Sequence, residues 1–136
     1  MTDNDSSQKN AGSQLTTIPL KNLSFARFEG PDASSFLQTQ LSADIAALEP
    51  GDATYACYCS PRGQVFGLLL VCREDACFNV VAASHLLPGI LKRLKMYVMR
   101  AKVEISEPPA MQVCGVTGSD IDSVPTPCCR EFAPWA

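Results

Sequence analysis

The chain has 136 residues, of which 46% are hydrophobic and 18% charged, a balance that belongs to folded globular domains and excludes a disordered chain. Eleven basic side chains stand against fourteen acidic ones, and the net charge of −3 excludes a generally basic nucleic-acid binder. The opening Met1-Thr2-Asp3-Asn4-Asp5-Ser6-Ser7 lacks the basic start and apolar run of a secretory signal, and no stretch approaches the roughly 20 apolar residues that span a bilayer. A cytoplasmic location is therefore expected, with no membrane or DNA partner and with RNA disfavoured.

Residues 1–14 carry almost no apolar side chains and read as a disordered leader. Leu15, Ile18 and Leu20 bring the chain into a domain expected to run over residues 15–106. Leu23-Ser24-Phe25-Ala26-Arg27-Phe28 alternates as a half-buried strand. Gly30-Pro31-Asp32 ends it and opens a helix, since proline suits the first turn and an acid suits its positive end. Ala33, Phe36, Leu37 and Leu41 form the apolar stripe of that helix. Ser42 is expected to cap a second, short helical turn over Ala43-Asp44-Ile45.

Glu49-Pro50-Gly51-Asp52 has turn composition, and residues 53–59 and 64–72 read as strands joined by Ser60-Pro61-Arg62-Gly63. Residues 77–82 make a further strand. Ser84 is a candidate cap for a helix whose stripe is Leu86, Leu87, Ile90, Leu91, Leu94, Tyr97 and Val98. Lys102-Val103-Glu104-Ile105 alternates again, and Pro108-Pro109 ends it. The expected order is β-α-β-β-β-α-β, an α+β fold with two amphipathic helices on one face of a mainly antiparallel sheet. Residues 107–136 read as the start of an incomplete second segment, with Met111–Val116 one more candidate strand. The proline-rich stretch 119–136 is expected to be poorly ordered.

No self-sufficient catalytic constellation is present. His85, the single histidine, falls at a helix start with nothing near it in sequence to complete a Cys-His or Ser-His pair. Glu74-Asp75 reads as a solvated bend. Gly63-Gln64-Val65-Phe66-Gly67 lacks the third glycine and the strand-to-helix setting of a dinucleotide fingerprint. The seven cysteines match neither paired CxxC knuckles nor a ferredoxin run, and structural thiols are favoured over a metal site. Cys57 and Cys59 share one face of a strand and remain the pair that could chelate. One electrostatic feature stands out: Lys92, Arg93, Lys95, Arg100 and Lys102 fall within eleven positions. Complementing the helix dipole is the favoured role, and a landing site for an anion or an RNA backbone is the alternative.

Phe28-Glu29-Gly30-Pro31-Asp32-Ala33, followed by Phe36-Leu37-Gln38-Thr39-Gln40-Leu41-Ser42-Ala43-Asp44-Ile45, resembles the opening of the folate-binding YgfZ family, relatives of the glycine-cleavage T-protein, an aminomethyltransferase. Ser60-Pro61-Arg62-Gly63-Gln64-Val65 sits where that family has its Asp-x-Lys-Gly-Lys/Arg hairpin. Leu94-Lys95-Met96-Tyr97-Val98-Met99-Arg100-Ala101-Lys102-Val103-Glu104-Ile105 is similar to its Leu-Lys-x-Tyr-Val-x-x-Ser-Lys-Val-x-Ile. Val113-Cys114-Gly115-Val116-Thr117-Gly118 is similar to the start of the next segment, so the likeness covers residues 23–118 in order.

This resemblance implies the N-terminal portion of a longer family fold built around a tetrahydrofolate channel. It implies a folate-type ligand, with Arg62, Gly63, Gln64, Arg100 and Lys102 as the matching binding residues and no catalytic residue. The partners it implies are iron–sulfur enzymes or their assembly proteins, in a role that supports cluster assembly or tRNA modification. One-carbon transfer of the aminomethyltransferase kind is the alternative. Two departures stand beside it: the family's Lys-Gly-Cys-Tyr-x-Gly-Gln-Glu loop is not among these residues, and the Asp or Asn that would hydrogen-bond the pterin is replaced by Leu68.

Overall fold

A computed structural model describes residues 15–109, 111–120 and 122. The expected disordered leader lies outside the described residues, as does most of the proline-rich stretch.

Five strands form one antiparallel sheet: β2 (Leu23–Glu29), β3 (Ala53–Cys59), β4 (Val65–Arg73), β5 (Cys77–Ala83) and β6 (Glu104–Ser106), in the spatial order β3-β4-β5-β2-β6. The helices α1 (Ala33–Gln40) and α2 (Leu87–Met96) fall between β2 and β3 and between β5 and β6. The expected α+β order is therefore present. It is preceded by β1 (Leu15–Pro19) and followed by β7 (Cys114–Gly118), which pair with each other as a separate two-stranded ribbon.

Register explains which side the helices cover. Phe28 opposes Phe78, Ala26 opposes Val80, Val71 opposes Val80, and Ala56 opposes Leu69, so these side chains share one face. All are buried, and they form one cluster with Ala33, Phe36 and Leu37 of α1 and with Leu87, Ile90, Leu91 and Leu94 of α2. The helices are amphipathic because their apolar residues recur at helical spacing, and burying that stripe is the main gain of folding here.

Two local devices bring α2 onto the sheet. Gly67 is buried, and a Cβ there would come within 2.8 Å of Ile90 Cδ1, so the glycine lets α2 sit this close without displacing the Ile90 side chain. Next to it the β3–β4 register shifts between Tyr58 and Cys59. This bulge leaves Phe66 as the extra residue, and its ring packs toward the helices and lies 5.8 Å from the Tyr58 ring.

Three expectations are corrected. Ser42 caps no helix: its Oγ accepts from the Cys57 N–H at 2.8 Å, and its own N–H donates to the Cys57 carbonyl at 3.1 Å, so it staples the chain after α1 to β3. Ser84 does not cap α2 either. Its Oγ pairs with Ser24 Oγ at 2.7 Å and reaches the Lys21 carbonyl at 3.1 Å, while α2 begins at Leu87 with Pro88 in its first turn. The final strand begins three residues later than Met111 and joins β1 rather than the main sheet.

Asp32 also differs from its expected role at the positive end of α1. It makes no side-chain cap, and Oδ2 instead accepts the Lys102 N–H at 2.8 Å. Gly30, with φ +123°, sits so close to this segment that a Cβ would lie 2.2 Å from the Lys102 carbonyl oxygen. Gly30→Ala is therefore expected to lower unfolding free energy by about 2–4 kcal/mol, from strained backbone and a direct clash. Urea denaturation followed by circular dichroism measures this, and a loss within experimental error would remove the corner from its structural role.

Candidate functional site

The hairpin that carries Arg62, Gly63 and Gln64 is organised by Ser60. The Ser60 N–H donates to the Gln64 carbonyl at 2.8 Å, and Ser60 Oγ accepts from the N–H groups of Arg62 at 3.2 Å and Gln64 at 3.1 Å. Gly63 has φ +88° and donates its N–H to the Ser60 carbonyl at 2.8 Å, so its role is the turn itself. The side chains of Arg62 and Gln64 are exposed at the tip.

Arg100 and Lys102 lie elsewhere. The hairpin end of β4 runs beside the Ala83 end of β5, and Ala83 pairs with Leu23. Lys102 sits against Gly30 and Asp32, at the other end of β2. The seven residues of β2 alone separate the two ends by about 20 Å. Both cations are exposed.

Leu68 belongs to the sheet face opposite the helices. On β3 and β4, Cys57 opposes Leu68 and Tyr55 opposes Leu70. The next strands continue the row with Val81 opposite Leu70 and Phe25 opposite Val81. Tyr55 is 67% exposed and Leu68 57%, so this corner is a flat apolar and aromatic surface open to solvent. Further along the same face, Arg27 donates from Nε to Asn79 Oδ1 at 3.3 Å and from its guanidinium to Met111 Sδ at 3.2 Å. The buried Asn79 amide thus has a charged partner.

Among the described residues, no group of three or more His, Cys, Asp or Glu side chains could hold a metal ion. Cys57 and Cys59 keep the same face of β3, because the extra residue of the bulge, Phe66, lies on β4. Burial pushes the Cys77 thiol up to about 11, and a hydrogen bond of 3.4 Å to Glu74 adds to the effect. His85 is exposed in the turn ahead of α2. Among the described residues, no helix is long and apolar enough to cross a membrane.

The helix layer contributes a second surface, which the sequence showed only as a basic run. Arg93 lies over the Phe66 ring with its guanidinium carbon 4.1 Å from the centroid. Tyr58 beneath has a raised pKa, chiefly through burial and next through the nearby Tyr97, with Arg93 opposing the shift. Lys92, Arg93, Lys95, Met96, Tyr97, Met99, Arg100 and Lys102 are all exposed around this stack and beyond it.

No family model matches the chain. Individual proteins do. It is 31% identical over 104 residues to the tRNA-modifying protein YgfZ of Klebsiella pneumoniae, a match covering 76% of this chain and 32% of that protein. The chain is related to the YgfZ proteins. The tRNA-modifying protein YgfZ of Photorhabdus laumondii is 26% identical over 106 residues, covering 78% of this chain and 32% of the relative. The fold of the chain is similar to part of the aminomethyltransferase T of Bartonella henselae, with a TM-score of 0.64 at 20% identity over 71% of this chain and 27% of that one. The YgfZ-like chain thus spans about a third of the length of the relatives it matches.

Cys77 is buried and its pKa is raised, whereas Cys57, Cys59 and Cys114 are partly exposed, so the thiols should differ in reactivity. At pH 8, Cys77 is expected to be the slowest of Cys57, Cys59, Cys77 and Cys114 to react with iodoacetamide, and to accelerate only as pH approaches 11. Mass-spectrometric mapping of alkylation against pH measures this. Cys77 labelling as fast as Cys57 at pH 8 would contradict the burial described.

Proposed function

We propose that this YgfZ-like chain is a folate-binding accessory unit that supports iron–sulfur-linked tRNA modification, with no catalytic group of its own. The observation that carries the reading is the ordered match over 104 residues to relatives named tRNA-modifying protein YgfZ. The aminomethyltransferase fold of the structural neighbour is consistent with a one-carbon carrier as ligand.

The face around Tyr55 and Leu68 is the surface that suits a flat heterocycle. An exposed phenol ring beside an exposed aliphatic side chain supplies stacking and apolar contact. Arg62, at the tip of the same hairpin, is the cation nearest in sequence for a carboxylate tail. The residues fit the apolar part of a pterin better than its polar edge, because Leu68 offers no hydrogen-bond partner. A pterin edge left unpaired against Leu68 costs about 1–3 kcal/mol, which makes the expected affinity weak.

Isothermal titration calorimetry with tetrahydrofolate tests this on the 136-residue chain. Weak binding is expected for the natural sequence, and Leu68→Asp, at a position that tolerates a polar side chain, should tighten it about tenfold. No heat from either protein at millimolar ligand would rule out folate at this face.

A further inference from the structure

We propose that the outer surface of the helix layer, centred on the Arg93–Phe66 stack and Tyr97, is a binding site for single-stranded RNA. The proposal deepens the tRNA side of the function above and rests on that reading for its biological setting, but it uses the opposite side of the sheet from Tyr55 and Leu68. Folate binding can fail while RNA binding stands, and the reverse also holds.

Charge segregation is the first support. The chain is net negative, yet no Asp or Glu occurs from residue 76 to residue 103, while Lys92, Arg93, Lys95, Arg100 and Lys102 all do. The neighbouring α1 carries no charged residue at all. The nearest acid at its start, Asp32, is held by the Lys102 N–H. The cations therefore have few local carboxylates to neutralise them, and a polyanion is the complementary ligand.

Stacking groups are the second support. The Arg93 guanidinium is held over Phe66, which fixes the plane of a group that stacks on bases. Tyr97 is 52% exposed, and Met96 and Met99 are 67% and 84% exposed beside it. Met99 adopts φ +47°, a left-handed conformation unusual outside glycine, in the turn that presents these side chains. Bases stack on such rings without sequence preference, while cations track the phosphates.

An anionic membrane would also attract the cations, but the helix is built wrongly for it. The apolar face of α2 is already spent in the core, where Leu87, Ile90, Leu91 and Leu94 are between 0% and 3% exposed. An interfacial helix needs that face for the lipid.

Fluorescence anisotropy of the 136-residue chain with a labelled single-stranded RNA oligomer is the test. Binding is expected at 50 mM salt, weakening on the order of 50-fold by 200 mM, as four to five phosphate contacts require. Lys95→Glu and Lys92→Glu should each weaken it several-fold, and Tyr97→Ala about tenfold. Lys21→Glu, the same charge change outside the 92–102 run, should leave it within twofold, with circular dichroism melts confirming that all four variants fold.

Several results would overturn the proposal. They are absence of RNA binding at low salt, an equal loss from Lys21→Glu and Lys95→Glu, insensitivity to Tyr97→Ala, or preferential binding to phosphatidylglycerol vesicles. Tetrahydrofolate titration of the same variants should be unchanged, and a parallel loss there would overturn the separation of the two sites.

Discussion

The whole arrangement hangs on one corner, where Gly30 and Asp32 meet the backbone of Lys102. Asp32 donates its N–H to the Lys102 carbonyl at 3.3 Å, and its carboxylate accepts the Lys102 N–H at 2.8 Å. Two crossings are fixed together there: the turn from β2 into α1, and the return from α2 to β6. A side chain at position 30 would occupy the space of the Lys102 carbonyl oxygen. Without the corner, three-residue β6 would have little to hold it at the edge of β2, because a strand so short contributes few ladder bonds. Val98, Ala101 and Val103, which pack on the core along that return, depend on the same anchor.

Much of this was legible in the sequence, for reasons tied to particular residues. The spacing of Leu87, Ile90, Leu91 and Leu94 is strictly helical, and alternation in Leu23–Phe28 left little choice but a strand. Where reasoning went astray, a side chain had found a partner far away in sequence. Ser42 and Ser84 are good caps by type, yet their hydroxyls bond to Cys57 and to Ser24 and Lys21. Asp32 has the same history. A short polar side chain near a turn satisfies whichever backbone group the fold brings to it, and tertiary contacts decide which that is. Strand β1 was missed because Leu15-Thr16-Thr17-Ile18-Pro19 has no clean alternation and is a strand only through residues 114–118.

The candidate site was legible in part. Position in the hairpin identified Arg62, Gly63 and Gln64, and the structure keeps them together. Lys102, grouped with them by the family resemblance, lies at the other end of β2. The continuous apolar run of β4 also concealed an asymmetry. Leu69 and Val71 are fully buried under the helices, whereas Leu68 is more than half exposed on the other side. A run of apolar residues predicts burial on both faces, and here the second face is covered at its Cys72–Asn79 end but open at Leu68.

That asymmetry gives the two sides of the sheet different chemistry. One is flat, aromatic and aliphatic, with charge confined to the Arg27–Asn79 corner. The other presents cations around an ordered guanidinium with almost no acids nearby. A rigid antiparallel sheet lies between them, so a ligand on one side has no direct contact with a ligand on the other. Substitutions on opposite faces share no partners and should act additively. If a ligand at Tyr55 and Leu68 were nevertheless to alter affinity at Tyr97, the coupling would have to pass through the core. The Phe66 bulge is the evident route, since Phe66 follows Val65 on the open face and supports Arg93 on the helix side. A coupling of that kind must be equal in both directions.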